Sequence, residues 1–316
     1  MTISDLFHSD PTRQLEEVQK VNAKERAKTD VREFYQTESA ERVLQQLGDV
    51  IQTHPGEAAR FLYIHATFGS GKTHLLKLVG LLADSESEFA YLGDRLADQW
   101  PGFDELQQSI SGSHVNRLKP VFLNLLDRDA SKEPPLPFLI FEAIGRELGY
   151  PTDPNWLLEW AWWLDMEYDD IWEALQAFEY DGKTFDDVLA ERASLRSWLY
   201  DALPAMPETS GTELDTSSGV KASIEAAEDD VEPDVFDSRE LVSRVETVTE
   251  ELNKENKQTE LLLGLDEVAL FVGDNTHRYR EFEKTMEALQ RGPNPVVVTT
   301  GQYSLPATRT RLIGEP

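Results

Sequence analysis

The chain has 316 residues, of which 59 are acidic and 30 basic, giving a formal charge of −29, while hydrophobic residues still make up 40%. That is enough apolar material for a sizeable core in one large domain or two, and the acid excess argues against direct DNA binding, which needs clustered Lys and Arg. With no cysteine, disulfides and thiolate metal sites are excluded.

So large an excess of like charge repels itself in dilute buffer and is relieved by salt, so the expected setting is a halophile's cytoplasm. The opening Met1-Thr2-Ile3-Ser4-Asp5-Leu6-Phe7 lacks a basic stretch followed by an apolar one. No apolar run approaches the ~18 residues of a membrane span, and a soluble, cytoplasmic protein without membrane contact is expected.

Residues 1–36 read as a polar lead-in packed on the domain. From Ser39 a helix is expected, because Val43, Leu44, Leu47, Val50 and Ile51 share one face, and Pro55-Gly56 ends it. The apolar run Phe61-Leu62-Tyr63-Ile64-His65 predicts a strand, followed by Ala66-Thr67-Phe68-Gly69-Ser70-Gly71-Lys72-Thr73.

That stretch reads as a phosphate-binding loop of the Walker A type. Gly69 and Gly71 let the backbone curl so that amide groups, Ser70 included, point inward at an anion without meeting a Cβ. Lys72 is then placed to reach the β- and γ-phosphates of ATP, and the Thr73 hydroxyl to bind Mg²⁺. His74 is counted with the ATP-binding loop, although its side chain is expected to pack on the first helical turn. Leu75, Leu76, Leu78, Val79, Leu81 and Leu82 supply a buried helix whose N-terminal dipole adds to the anion site. The strict pattern begins with Gly where this chain has Ala66, and the competing reading is a bare glycine turn before a helix.

Phe89 to Leu92 is ambiguous, and residues 93–119 look loop-rich. After Pro120, Val121 to Leu126 reads as a buried parallel strand followed by turn charges at Asp127-Arg128-Asp129. A helix is expected from Phe138 to Leu148, capped by Gly149, and Asp153-Pro154 looks like the start of another. That helix carries Trp156, Trp160, Trp162 and Trp163, with Trp172 on the next. Aromatic faces can stack on bases, but here they alternate with Leu157, Leu158, Leu164, Ile171 and Leu175 at helical spacing, which favours core. A third helix is expected from Thr184, with Asp187 completing a capping box, to Leu203.

Pro204 to Asp237 is dominated by Ser, Thr, Glu, Asp, Gly and Pro and is expected to be a disordered acidic linker. A helix near Ser238 precedes Leu261-Leu262-Leu263-Gly264-Leu265-Asp266-Glu267, an apolar strand ending in two carboxylates. Apolar strands often end in Asp or Glu, but after a phosphate loop this reads as a Walker B element. Asp266 then holds the Mg²⁺ shell, and Glu267, with Lys72, is catalytic, deprotonating the attacking water.

A helix bearing Tyr279, Phe282, Met286 and Leu289 leads to the strand Pro295 to Gln302. P-loop ATPases of the additional-strand class place a polar sensor at such a strand end; Thr300 is the first candidate and Gln302 the second, with Thr299 structural. Six histidines without metal-ligand spacing give no zinc site, and there is no nucleophile elbow.

The expected fold class is thus α/β, a P-loop NTPase of the additional-strand (AAA+/STAND-like) type, with a parallel sheet flanked by helices and a helical insertion. The expected organisation is a lead-in and helix at 1–57, the first part of the core at 58–149, a Trp-rich insertion at 150–203, the linker at 204–237 and the rest of the core at 238–316.

The segments Phe68 to Lys77, Leu261 to Glu267 and Val297 to Gln302, with Ile3 to Phe7, Asp10 to Arg13 and Gly149-Tyr150-Pro151, resemble the large BREX phage-defence ATPases of the BrxC/PglY group. The resemblance implies an Mg²⁺-dependent ATPase in a multi-protein system that restricts phage DNA replication and marks self DNA by methylation. Its partners would be other defence-system proteins and further copies of itself, with DNA met only indirectly. Members of that group are much longer, so the chain is expected to be an N-terminal ATPase portion or a truncated product. An arginine finger is expected from Arg278, Arg280, Arg309, Arg311 or a neighbouring subunit. The rival readings are an ATP-gated scaffold that scarcely hydrolyses, and a replication initiator or helicase loader, for which no basic patch is visible.

Overall fold

The computed structural model of the chain describes residues 37–53, 59–65, 71–83, 117–125, 134–232, 235–254 and 259–301. A four-stranded, all-parallel sheet is its centre, formed by β1 (Phe61–His65), β2 (Arg117–Asn124), β5 (Thr259–Asp266) and β6 (Val296–Gly301) in the spatial order β1-β6-β5-β2. The strands are Val/Leu-rich because both faces are covered, which removes the alternation of a half-exposed sheet. Pro120 lies within β2 rather than before it, at the border of the described sheet, where a missing N–H costs no ladder bond.

One face is covered by α1 (Glu38–Gln52) and α2 (Lys72–Ala83), whose Leu44, Leu47, Ile51, Leu76 and Val79 meet Ile64, Leu118, Leu262, Val296 and Val298. The other face carries α3 (Leu136–Leu148), α9 (Ser238–Asn253), α10 (Val268–Val272) and α11 (Thr276–Arg291), packed on Leu261, Leu263, Leu265 and Val297. Successive β5 leucines point to opposite faces, so the strand contributes to both cores. The fit of α2 against the sheet depends on two glycines: a Cβ at Gly80 would lie 2.0 Å from the Phe122 ring, and one at Gly264 would lie 2.4 Å from it.

At the end of the sheet where β5 and β6 begin, the fully buried Arg60 guanidinium donates to Ile51 O at 3.3 Å and Asn294 O at 3.2 Å and pairs with Glu260. Asn253, the last residue of α9, clamps Thr259 through both its amide and its carbonyl, at 2.6 and 3.0 Å. These bonds fix where β5 starts, and hence where it ends.

Between α3 and α9 lies a helical unit: α4 (Asn155–Glu167), α5 (Asp169–Ala177), a two-residue-per-strand hairpin β3 (Glu179–Tyr180) and β4 (Lys183–Thr184), α6 (Phe185–Glu191), α7 (Leu195–Ala202) and α8 (Ser217–Asp230). Trp156, Trp160, Trp172 and Trp198 are in its core, and Trp162 faces Phe141 of α3. The Thr184–Asp187 capping box is formed, but the helix expected to run to Leu203 breaks at Arg192, whose φ is 50°. The break lets Val188 on one piece and Leu195 and Leu199 on the other enter the same core. The helix after Asp153 has Pro154 as its N-cap, so Asp153 does not cap it.

The largest correction concerns residues 204–237. Instead of an unstructured linker, the described part contains three short 3₁₀ turns and α8, with Met206, Leu214, Val220, Ile224 and Ala227 buried against α4 and α7. Few apolar residues are needed to fold this stretch because these five meet the tryptophan-rich core, while Phe236 packs on Phe138 and Phe141. The lead-in at residues 1–36, Phe89 to Leu92 and Asp127 to Asp129 lie outside the described residues. Among the described residues no helix is long and apolar enough to cross a membrane.

Candidate functional site

The carboxyl ends of β1, β5 and β6 and the start of α2 meet at one place. Gly71, at φ 83°, accepts the Leu75 amide at 2.8 Å and opens α2, so Lys72 and Thr73 occupy its first turn. A positive φ of this kind suits glycine, which has no Cβ to strain. Asp266 ends β5, and Glu267 follows with φ 60° and ψ 36°, a left-handed conformation that turns the chain into α10. Thr300 lies one residue beyond Thr299, the β6 partner of Leu265, which brings its hydroxyl level with Asp266.

Three hydrogen bonds and an ion pair join these groups. Thr73 Oγ1 donates to Asp266 Oδ2 at 2.8 Å, across 193 residues of sequence. The Thr300 hydroxyl donates to Asp266 Oδ1 and accepts the Glu267 amide at 3.0 Å. Lys72 Nζ is 3.6 Å from Glu267 Oε1, with both side chains almost wholly buried. Burial pushes the Asp266 carboxyl above the usual carboxylate range, against the pull of the bonds from Thr300 and Thr73; Glu267 adds to the rise and Lys72 opposes it. The site therefore holds two adjacent acids, one lysine and two hydroxyls in low dielectric, where a polyvalent charge would interact strongly.

No family model matches the chain, and no curated protein or solved structure is significantly similar to it. What the site does must be read from its own geometry.

Of the residues singled out in the sequence, the fold brings Gly71, Lys72, Thr73, Asp266, Glu267 and Thr300 together. His74 is half-buried on the first turn of α2. Gly69, Ser70, Gln302, Arg309 and Arg311 lie outside the described residues. Arg278 is engaged within the chain: Nη1 donates to Pro134 O at 3.1 Å and pairs with Glu281 at 2.9 Å, and the guanidinium covers Phe271 at 5.4 Å. Arg280 is exposed on α11.

Sequence reasoning missed Tyr63. Burial, reinforced by the charge of Glu267, pushes its phenol up to about 12, and a Cβ at Gly301 would lie 2.2 Å from its hydroxyl oxygen. The only signal was a tyrosine in the middle of an otherwise apolar strand, one residue short of a position that packs on α2.

Proposed function

We propose that the chain is an ATP-binding and ATP-hydrolysing protein of the P-loop class, with Lys72 and Thr73 in the Walker A role and Asp266 and Glu267 in the Walker B role. The observation that carries this reading is the Thr73–Asp266 hydrogen bond, because a hydroxyl and a carboxylate held together behind a glycine turn are what a magnesium nucleotide requires. The strand order supports the additional-strand type, since β6 separates the strand before the glycine turn from the strand carrying the acids.

The residues present fit Mg²⁺. It takes oxygen donors, and the buried Asp266 carboxyl, held above its ordinary range, is a group that a cation would help ionise. Among the described residues no group of three or more metal-ligating side chains gathers, and none is needed, because Mg²⁺ is commonly bound by one or two carboxylates with substrate phosphates. Thr73 Oγ1 and Asp266 would hold the ion, which when bound neutralises charge on the β- and γ-phosphates.

The chain's own groups supply the rest. The γ-phosphate draws Lys72 from Glu267, which leaves the Glu267 carboxylate to accept a proton from water as its oxygen attacks phosphorus in line with the departing ADP oxygen. The Thr300 hydroxyl fixes the Glu267 amide and so holds this residue in its left-handed conformation. Work in a BREX-type defence assembly, with other proteins making any DNA contact, is proposed on the sequence resemblance alone.

The test is nucleotide binding and turnover by the purified chain in about 1 M KCl with Mg²⁺. Lys72→Ala is expected to lose ATP binding. Glu267→Gln should bind ATP and lose about 10²–10⁴ in turnover, the usual value of a positioned base. ATP binding that survives Lys72→Ala unchanged would sink the reading, while binding without turnover in wild type would favour the nucleotide-gated scaffold.

A further inference from the structure

A cavity of about 570 Å³ lies where α4, α8 and α9 meet, within the size range of small-molecule sites. Trp162, Trp163 and Met166 of α4 and Ala226 of α8 give it apolar walls. Glu159 also lines it. Glu159 is 3% exposed; its Oε1 accepts from Arg244, and its Oε2 is buried with no hydrogen-bond partner. A buried carboxylate oxygen left so costs stability unless something donates to it. Glu167, Glu213 and Asp230 add three more carboxylates to the lining, against Arg244 as the sole cation there.

We propose that this cavity binds a small organic cation, a primary ammonium group carried on an apolar or aromatic body. The charge of the lining attracts a cation and rejects anions, nucleotides among them. An ammonium group brings the N–H donors that Glu159 lacks, and the indoles and Met166 take the hydrocarbon body. Arg244 Nε is likewise buried without a partner. Nothing in this assignment draws on the nucleotide site.

Burial raises Glu159 to about 7, against the pull of Arg244, with Asp230 of α8 and Glu240 of α9 adding to the rise; Glu167 and Glu213 also face the cavity. As pH falls through that value Glu159 takes up a proton and the ammonium loses its counter-charge, so binding should weaken with acid. The same raised value means that the folded chain holds this proton longer than the unfolded one. The stability linked to Glu159 is therefore full below the ordinary glutamate range and lost as pH rises to about 7.

The test is calorimetric titration of the whole chain with phenethylammonium at alkaline and acidic pH, beside 2-phenylethanol and the N-trimethyl analogue. The expected result is one site, bound at least tenfold more tightly by the primary amine than by either analogue and weakening below about pH 7. Glu159→Gln should lower the affinity at least tenfold and remove the pH step. Ala226→Trp, at an exposed α8 position, fills the cavity without disturbing the buried pair and should do the same to affinity. Equal binding of the alcohol, binding undiminished in Ala226→Trp, or no binding by wild type at millimolar amine would overturn the proposal.

Discussion

A methyl group at Gly301 would stand 2.2 Å from the Tyr63 hydroxyl oxygen and 2.8 Å from Ala269 Cβ, so the end of β6 cannot accept one unless β1 or α10 gives way. Gly301→Ala is expected to destabilise the fold by about 1–3 kcal/mol, the usual cost of overpacking, and to disturb Thr300 beside it. Tyr63→Phe removes the closest of these atoms and should recover part of the loss in the double variant, a coupling that denaturant unfolding of the four proteins would measure. Strictly additive losses would show that the phenol is not the obstacle. At this scale the site was largely readable in the chain. Lys72, Thr73, Asp266 and Glu267 stood out through patterns whose proposed chemistry, phosphate and Mg²⁺ binding, specifies residue type and spacing. Tyr63 belongs to no pattern, because its place beside Glu267 arises only when β1, β6 and β5 lie side by side. Thr300 was recognisable as a polar strand end, but its bond to the Glu267 amide depends on the left-handed turn that follows β5.

Among the elements, the strands are held in register by bonds remote from the site. Arg60 joins the end of α1, the start of β5 and the turn before β6 through Ile51 O, Glu260 and Asn294 O. Replacing it with Met keeps much of the apolar stem but strands a partly buried carboxylate and three carbonyls, those of Val50, Ile51 and Asn294. A loss of about 3–5 kcal/mol is expected, read as a lowered denaturant midpoint at unchanged slope; a loss under about 1 kcal/mol would show that water replaces the guanidinium. The strands themselves were accessible from apolar runs, since both faces of a parallel sheet must be buried; the place of β2 beside β5 was not. The stretch around α8 was not. Its buried residues, Val220, Ile224 and Ala227, follow helical spacing, yet they are outnumbered by Ser, Glu and Asp, which composition alone reads as disorder. What orders them is a partner, the Trp160 side of α4, whose indole donates to Ser223 at 3.0 Å. Likewise, the break at Arg192 follows from sharing one core between α6 and α7, which the capping box ahead of it could not announce.

For the whole molecule the formal charge of −29 is the dominant long-range term. Raising KCl from about 0.1 to 1 M shortens the screening length from roughly 10 to 3 Å, so repulsion among exposed acids should fall steeply. A rise of at least about 5 °C in the thermal midpoint is expected, equivalent to roughly 3 kcal/mol for a chain of this size. A midpoint that is flat or falls with KCl would refute the view that salt is needed to hold this surface together.

The order β1-β6-β5-β2 also has a consequence for synthesis. Among the described strands β1 is paired only with β6, the last of them in chain order, whereas β2 and β5 pair directly. A nascent chain that has reached Asn294 can assemble its helical unit and the β2–β5 pair, but the space between β1 and β5 is still empty. Val296 to Gly301 lie between the strand that precedes Thr73 and the strand that ends in Asp266, so the sheet carrying the two halves of the site, made long apart, closes only once that strand has slotted in.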